Sequence, residues 1–336
     1  MLALKVPLKH AQSIKKKLLA EELLDLNFIS YKDKDHIFFP IKEKVDFGCE
    51  IVDKDFKRNE KKVKGLKDTL ELYLNKDELS KLKTSYDLIG DIAILEIDSE
   101  LRHKECLIAE KLLESNPVVN TVVRKADKHT GEFRVQSYKH LAGERKKETI
   151  HKENNVRIKL HIEKVYYSPR LSTERKRIAE KVGKKERILV LFAGCAPFPL
   201  VLNKLASPRM ITSVELNPDG HRYALENVEL NKMRNVEVIE QDAGKYIGKN
   251  DLDFDRILMP APDNACDFIE KTLLKARKNT IIHYYTFSRE EEFEKTKSDL
   301  KKLAESIGVC IDVFGLVKCG QHSPGVYRIC VDLRKI

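Results

Sequence analysis

One stretch constrains the fold of this chain more than any other. Ile188-Leu189-Val190-Leu191-Phe192 is apolar at every position and ends in the small-residue turn Ala193-Gly194-Cys195-Ala196. Pro197 and Phe198 follow, and they can open a helix. A run that is apolar throughout, rather than at alternate positions, predicts a strand buried on both faces. A tight turn at its carboxyl end delivers backbone N–H groups to the crevice where open α/β sheets bind ligands. The rest of the segment keeps this rhythm. Strands are predicted over 187–192, 211–216, 236–240, 255–259, 280–285, 310–317 and 326–333, and helices over 171–182, 198–206, 218–231, 264–277 and 290–307. Such alternation predicts an α/β fold, a mostly parallel seven-stranded sheet with helices on both faces. Cys319–Gly325 is too short for a helical crossover, so the last two strands are expected as a C-terminal antiparallel hairpin.

Two smaller α+β segments precede the sheet. In 1–65, Ala11, Ile14, Leu18, Leu19, Leu23 and Leu24 keep helical spacing, with Lys15, Lys16 and Lys17 on the other face, and His36–Ile41 reads as a strand. The lysine face suits phosphate contact or plain solvation. Asp55–Lys67 is the expected linker. In 66–165, helices are expected at Leu70–Leu82 and Glu105–Ser115. Strands are expected within Tyr86–Asp98, around the turn-prone Gly90–Asp91, and at Val118–Arg124, Thr149–His151 and Val156–Ile162. A chain of 336 residues is long enough for three such cores. Lys and Arg number 63 against 53 acidic residues, a net charge of +10 that favours an acidic partner such as nucleic acid or a membrane surface. No apolar run approaches the roughly 20 residues of a membrane span, and no signal peptide is read at Met1. Cys49, Cys106, Cys195, Cys266, Cys310, Cys319 and Cys330 show no Cys-x-x-Cys spacing. They are read as reduced thiols, mostly in the core, of a cytoplasmic protein with no metal.

The chemistry is carried by the strand ends. Phe192–Phe198 lacks the third glycine of a pyrophosphate cradle. S-adenosyl-L-methionine has no phosphates and asks for less, namely a close backbone approach and a carboxylate for the ribose. Gly194 permits the first, and Glu215, closing Ile211–Glu215, supplies the second, because two hydroxyls can donate to one carboxylate. Asp242, just after Val236–Glu240, is placed to accept from an adenine amino group. A single acidic residue after a strand is more often a helix cap, but three such positions at successive strand ends point to a nucleoside. The fourth strand ends Met259-Pro260-Ala261-Pro262-Asp263, which is either a rigid loop or a wall beside a methyl acceptor. Pro260 there has no N–H to donate. Ahead of the sheet, Ser172 or Thr173 reads as a helix cap, with Glu174 favourable at the positive helix end. The sharper alternative makes Glu174 a general base.

Taken in order, GEFR (131–134), HLAGE (140–144), TIHKEN (149–154), VYYSPRL (165–171), FAGCAPF (192–198), ELNP (215–218) and HYYT (283–286) resemble the archaeal and eukaryotic tRNA (guanine-37-N1)-methyltransferase family. The resemblance spans essentially the whole chain. It implies an N-terminal domain (1–65) that reads the tRNA elbow, a middle RNA-contacting domain (66–165), and a class I Rossmann-like methyltransferase domain (166–336). It further implies a monomer that uses S-adenosylmethionine to methylate position 37 in the anticodon loop. Residue by residue, it implies that Arg134 steadies guanine O6 and that Glu174 is the base for N1. It also places Arg175, Phe192, Glu215, Leu216, Asp242 and Ala243 at the cofactor with Gly194, and Pro260 at both the cofactor and the catalytic wall. Val190 stands where the family's first motif is acidic, Ala196 where it has a second glycine, and Pro260–Asp263 where Asn-x-Pro-x is usual. The last resembles the archaeal subgroup of the wyosine pathway, whose members also methylate C7 of 4-demethylwyosine. A carbon acceptor needs no hydrogen-bonding Asn, so both activities are expected. Two other readings stay open: methyl transfer at another tRNA or rRNA site, and an RNA-binding module on a degenerate methyltransferase fold.

Overall fold

The computed structural model describes residues 1–21, 23–25, 27–58, 65–126, 135–262 and 265–336. They form two compact units, Met1–Tyr73 and Leu74–Ile336. In the first, β1 (Leu2–Pro7) lies between β3 (His36–Pro40) and β4 (Glu50–Asp53), with β2 (Tyr31–Lys32) beyond β3, all antiparallel. Ile14 and Leu18 of α1 (Ala11–Ala20) pack with Leu4, Val6 and Phe39. No strand is expected over β1, yet it is the central one, with Ala3, Leu4 and Val6 buried. The helix stops at Ala20, short of the apolar pattern, and Leu24 instead bridges Ile41 beside the sheet.

The single helix expected over 70–82 is two. α2 (Leu66–Leu70) closes the first unit, and α3 (Lys76–Lys81) opens the second behind an Asn75 cap that accepts from the Glu78 N–H. β5 (Tyr86–Ile89), β6 (Ile92–Leu95), β7 (Thr121–Lys125) and β8 (Tyr138–Gly143) form a sheet in that order, with α4 (Glu105–Ser115) against β7 and β8. The β5–β6 turn sits at Gly90, as expected, with φ +60°. A Cβ there would collide with Thr149 Oγ1, and the Gly90 N–H donates to His151 Nδ1 at 3.0 Å. That contact joins the small sheet to the hairpin of β9 (Glu148–Glu153) and β10 (Val156–His161).

The large sheet is built from α5 (Ser172–Lys181), β11 (Arg187–Leu191), α6 (Pro197–Ala206), β12 (Met210–Glu215), α7 (Pro218–Leu230), β13 (Val236–Glu240), α8 (Ala243–Lys249), β14 (Arg256–Met259), α9 (Ala265–Lys275), β15 (Ile281–Arg289), α10 (Phe293–Ser306), β16 (Ile311–Ser323) and β17 (Val326–Lys335). Strand order is β13-β12-β11-β14-β15-β17-β16. The first five strands are parallel, and β17 runs antiparallel to both β15 and β16. This is the expected seven-stranded sheet, with β17 inserted so that β16 is the edge. α8 is a helix that the sequence reading omits. Ile188, Leu189, Val190 and Leu191 are fully buried, and Val190 is paired between Ser213 and Leu258, in the sheet rather than at a ligand.

Residues 74–336 are one unit, where a domain boundary is expected after 165. The reason is a set of backbone-mimicking amides on α7. Asn227 accepts from the Lys159 N–H and donates to the Lys159 carbonyl, and Asn231 treats Arg157 in the same way. The β9–β10 hairpin is thereby fastened to the large sheet's helical layer. Of the described thiols, only Cys195 and Cys330 are buried. Cys106 on α4 and Cys310 before β16 are exposed, which corrects the expectation of mostly core cysteines.

Candidate functional site

Strand order reverses between β11 and β14, and their carboxyl ends open on a cavity of about 410 Å³. That volume is ordinary for a small-molecule site. The turn out of β11 builds one wall. Phe192, Gly194 and Ala196 take φ values of +55°, +57° and +65°. Alternating left-handed residues swing the chain abruptly into α6, whose first turn follows at Pro197. Two of the three carry a Cβ in a conformation that costs about 1–2 kcal/mol per residue. Ala196, in place of the family's glycine, is thus accommodated at the cost of strain.

Glu215 sits at the floor. Its Oε2 accepts from the Gly194 N–H at 2.6 Å and its Oε1 from the Asn217 N–H at 2.8 Å. Gly220, in the first turn of α7, comes so close that a Cβ would lie 3.0 Å from Glu215 Cγ. Burial pushes the carboxyl pKa up, and the backbone donors only partly oppose it. Each oxygen keeps acceptor capacity for further donors. Asp242 is the helix cap that the sequence allowed, and it also stands at the cavity. Its Oδ1 caps α8 by accepting from the Lys245 N–H at 2.8 Å, and the residue lines the cavity. Leu216, Ala243, Phe192 and Phe268 give apolar walls, the two Phe rings with centroids 5.5 Å apart. Pro260, Ala261 and Pro262 close the far side, where the two prolines present carbonyls and no N–H.

Arg175 also lines the cavity, but as part of a neutralised wall. It is 1% exposed, and its Nε and Nη2 donate to the two Glu153 oxygens at 2.5 and 2.6 Å. Glu174 faces the other side of α5 and is not among the lining residues. Both its oxygens accept from Arg177 at 2.7 Å, and Oε1 also accepts from the Tyr285 hydroxyl at 2.6 Å. Cys319 lies nearby on β16, its thiol donating to the Val317 carbonyl at 3.4 Å. Cys319 lines a second cavity of about 270 Å³, together with Tyr138, Phe287 and His322. Tyr166, Tyr167, Ser168, Leu171 and Arg328 line both cavities, so the SPRL segment is the partition between them.

The structure therefore gathers Arg175, Phe192, Gly194, Glu215, Leu216, Asp242, Ala243 and Pro260 around one cavity and sets Glu174 behind a second. Arg134 and Asp263 lie outside the described residues. Tyr166 stands in the sequence reading only as part of VYYSPRL, and Phe268, Phe287, His322 and Arg328 lie outside its motifs. The paired tyrosines before SPRL were the available signal for the first, while the others come from strands and helices far along the chain.

The first cavity fits S-adenosylmethionine on the chemistry of its donors and acceptors. A partly buried carboxylate is held by backbone N–H groups, with no Lys or Arg partner among the described residues, beside a left-handed glycine. Glu215→Gln should weaken cofactor binding about ten- to a hundredfold, the worth of hydrogen bonds to a charged group. A ribose hydroxyl bound there would donate to the ionised form. Because the Glu215 pKa is raised, affinity should fall as pH drops through it, at higher pH than for an exposed carboxylate. Calorimetry from roughly pH 4 to 8 checks both statements, since Glu215→Gln should flatten the profile. A wild-type profile as flat as the variant's would sink the assignment.

Comparison with known proteins gives a consistent picture. Residues 149–312 match the TRM5/TYW2 methyltransferase domain, 66–146 the TYW2 N-terminal domain, and 3–47 the tRNA methyltransferase 5 N-terminal domain. The chain is 33% identical over 335 residues to tRNA (guanine(37)-N(1))-methyltransferase Trm5b of Pyrococcus abyssi, covering 99% of this chain and 98% of that one. It is 34% identical over 275 residues to tRNA (guanine(37)-N(1))/4-demethylwyosine(37)-methyltransferase Taw22 of Nanoarchaeum equitans, covering 66% and 90%. The crystal structure of the P. abyssi Trm5b superposes with a TM-score of 0.75, at 33% identity and over 100% of this chain and 99% of that one. A complex of aTrm5 with tRNALeu gives 0.70, at 28% identity over 100% of both chains. M. jannaschii TYW2 in complex with AdoMet gives 0.57, at 27% identity over 75% of this chain and 100% of that one.

Proposed function

We propose, since the chain belongs to the TRM5/TYW2 methyltransferase family, that it is an S-adenosylmethionine-dependent enzyme that methylates N1 of guanosine 37 in tRNA. The observation that carries this is the pair of cavities meeting at Tyr166–Leu171 and Arg328, one floored by Glu215 and the other walled by aromatic rings. The net charge of +10 suits a polyanionic acceptor. Bound S-adenosylmethionine supplies a methyl group carried on a positively charged sulfur. Glu215 and Asp242 would hold its ribose and adenine polar groups, with Phe192, Gly194, Leu216, Ala243 and Pro260 as walls and Arg175 fixing the partition through Glu153 and Ser168.

On the acceptor side, guanine N1 must lose a proton, which puts negative charge on O6. We assign the proton to Glu174 and the steadying of O6 to Arg134. For Glu174 to act, one of its donors has to give way to N1–H, and the single hydroxyl of Tyr285 is easier to displace than the two-point grip of Arg177. Residues 1–65 are assigned to the tRNA elbow and 66–165 to the RNA around the site.

A second acceptor, C7 of 4-demethylwyosine at the same position, is suggested by the likeness to Taw22 of N. equitans, and the far wall of the first cavity does not oppose it. Pro260 and Pro262 offer no donor to a base edge, and a carbon acceptor requires none. Mass spectrometry of nucleoside 37, after reaction with tRNAs carrying guanosine or 4-demethylwyosine there, tests both. The expected products are 1-methylguanosine from the first and the C7-methylated tricycle from the second. Failure on the tricycle alone leaves an N1-specific enzyme. Methyl transfer only at another nucleotide overturns the assignment to position 37.

A further inference from the structure

We propose that Arg328 is a further catalytic residue, donating to the acceptor base's carbonyl oxygen, O6 of guanine, as negative charge develops on it. This rests on the reading of guanosine 37 as acceptor. Four observations carry it. Arg328 lines both cavities, so it stands where the methyl donor and acceptor meet. Its guanidinium is held in place, because Nη2 donates to the Tyr166 hydroxyl at 2.8 Å while the group lies 5.8 Å from the Tyr166 ring centre and 5.6 Å from that of Phe287. Among the described residues it has no carboxylate partner. By contrast, Arg170 donates to Asp87, Arg175 to Glu153, and Arg177 to Glu174 and Asp332. Finally, its strand register opens space around it. Arg328 on β17 lies opposite Phe287 on β15 and Gly320 on β16, where an added Cβ would meet nothing within 4 Å.

The chemistry of the ligand follows from these walls. Tyr138, Tyr166, Phe287 and His322 surround the second cavity, and the Phe287 and His322 ring centres are 4.0 Å apart. Aromatic surfaces of this kind take a flat nucleobase. A fixed guanidinium with no carboxylate partner among the described residues, at the cavity's junction, suits an oxygen that gains charge only during reaction. The rival ligand is the carboxylate of the donor's methionine tail. Phe287 and Gly320, which seat the guanidinium, line the second cavity and not the first, so the base is favoured. In the step itself the N1–H bond breaks and the proton passes to the base. The electron pair remains on the ring and spreads to O6. It then forms the N1–carbon bond while the carbon–sulfur pair stays with sulfur.

The test compares wild type, Arg328→Met and Arg328→Lys on tRNA carrying guanosine or 6-thioguanosine at position 37, with cofactor affinity measured by calorimetry. Arg328→Met should lower kcat about 10²- to 10³-fold, the loss typical of one oxyanion donor. Cofactor affinity should stay within twofold. Replacing O6 by sulfur, a weaker acceptor, should slow the wild type more than Arg328→Met, whose O6 keeps only the donor assigned to Arg134. Arg328→Lys keeps the charge without the fork and should fall between, which also serves if the Met variant folds poorly. Wild-type kcat in both variants, an equal sulfur penalty in wild type and Arg328→Met, or a loss confined to cofactor affinity would each overturn the proposal. The last would identify a carboxylate clamp. Failure of the position-37 reading shows separately, as wild-type enzyme that leaves guanosine 37 unmethylated.

Discussion

Glu174→Ala should lower kcat for methylation of guanosine 37 about 10²- to 10⁴-fold, the usual worth of a positioned base. Cofactor affinity should barely change, because Glu174 is not among the residues lining the first cavity. The difficulty is that Glu174 is also an anchor. Its two oxygens collect Arg177 twice and Tyr285, tying α5 to β15. Truncation alone therefore confounds chemistry with structure. Glu174→Gln separates them. The amide keeps the shape and can still accept from Tyr285 or Arg177, but it cannot take a proton. A base loses as much turnover in Gln as in Ala, whereas an anchor recovers most of it. Single-turnover rates at saturating cofactor read the difference free of product release. Full activity in Glu174→Gln would leave Glu174 as an anchor, with the N1 proton leaving by another route.

The large sheet was legible because parallel strands buried on both faces are written as unbroken apolar runs, of which Ile188–Leu191 is the clearest. The places of Glu215 and Asp242 at the first cavity were legible for a related reason: the ends of such strands are where the topology opens a crevice. β1 was not, since Leu2–Pro7 is short, carries Lys5 and looks like any chain terminus, and only its two antiparallel neighbours make it central. The union of 74–165 with the large sheet was also hidden. It depends on Asn227 and Asn231 imitating backbone across to β10, and a lone Asn in a helical pattern carries no sign of its partner. The acceptor side shows the same limit. Arg328 and Phe287 belong to different strands, and their meeting is fixed by the register of β15 against β17 rather than by any local motif.

Asp332→Ala should be the most destabilising single change in the large unit. Asp332 is fully buried on β17 and accepts from His283 Nδ1 at 2.7 Å, Arg177 Nη1 at 2.8 Å and Lys181 Nζ at 2.7 Å. Removing it leaves a buried imidazole unpaired at Nδ1 and takes a carboxylate from Arg177, which keeps Glu174, and from the half-exposed Lys181; breaking a buried pair typically costs about 3–5 kcal/mol. In a unit of this size that is a drop of roughly 10 °C in Tm, read by calorimetry. His283, Cys330 and Asp332 also cluster as metal ligands do, but His283 Nε2 is engaged by Arg256 at 2.6 Å while Nδ1 faces Asp332. The imidazole is thus neutral, donating from Nδ1 and accepting at Nε2. Burial pulls its pKa below the ordinary value, so the unfolded chain binds its proton more readily, and stability falls as pH drops below about 6.5. Burial alone would raise the Asp332 carboxyl, but its hydrogen bonds from His283 and Arg177 prevail and hold it far below the usual range. Its contribution is present above about pH 4 and is lost as pH falls further. Wild type should therefore lose stability in two stages on acidification, and Asp332→Ala should lack the lower one. A variant that melts like wild type at neutral pH would show that the cluster contributes little. Arg177 bridges Asp332 to Glu174, so the same substitution should loosen Glu174 and lower turnover at temperatures where the fold persists.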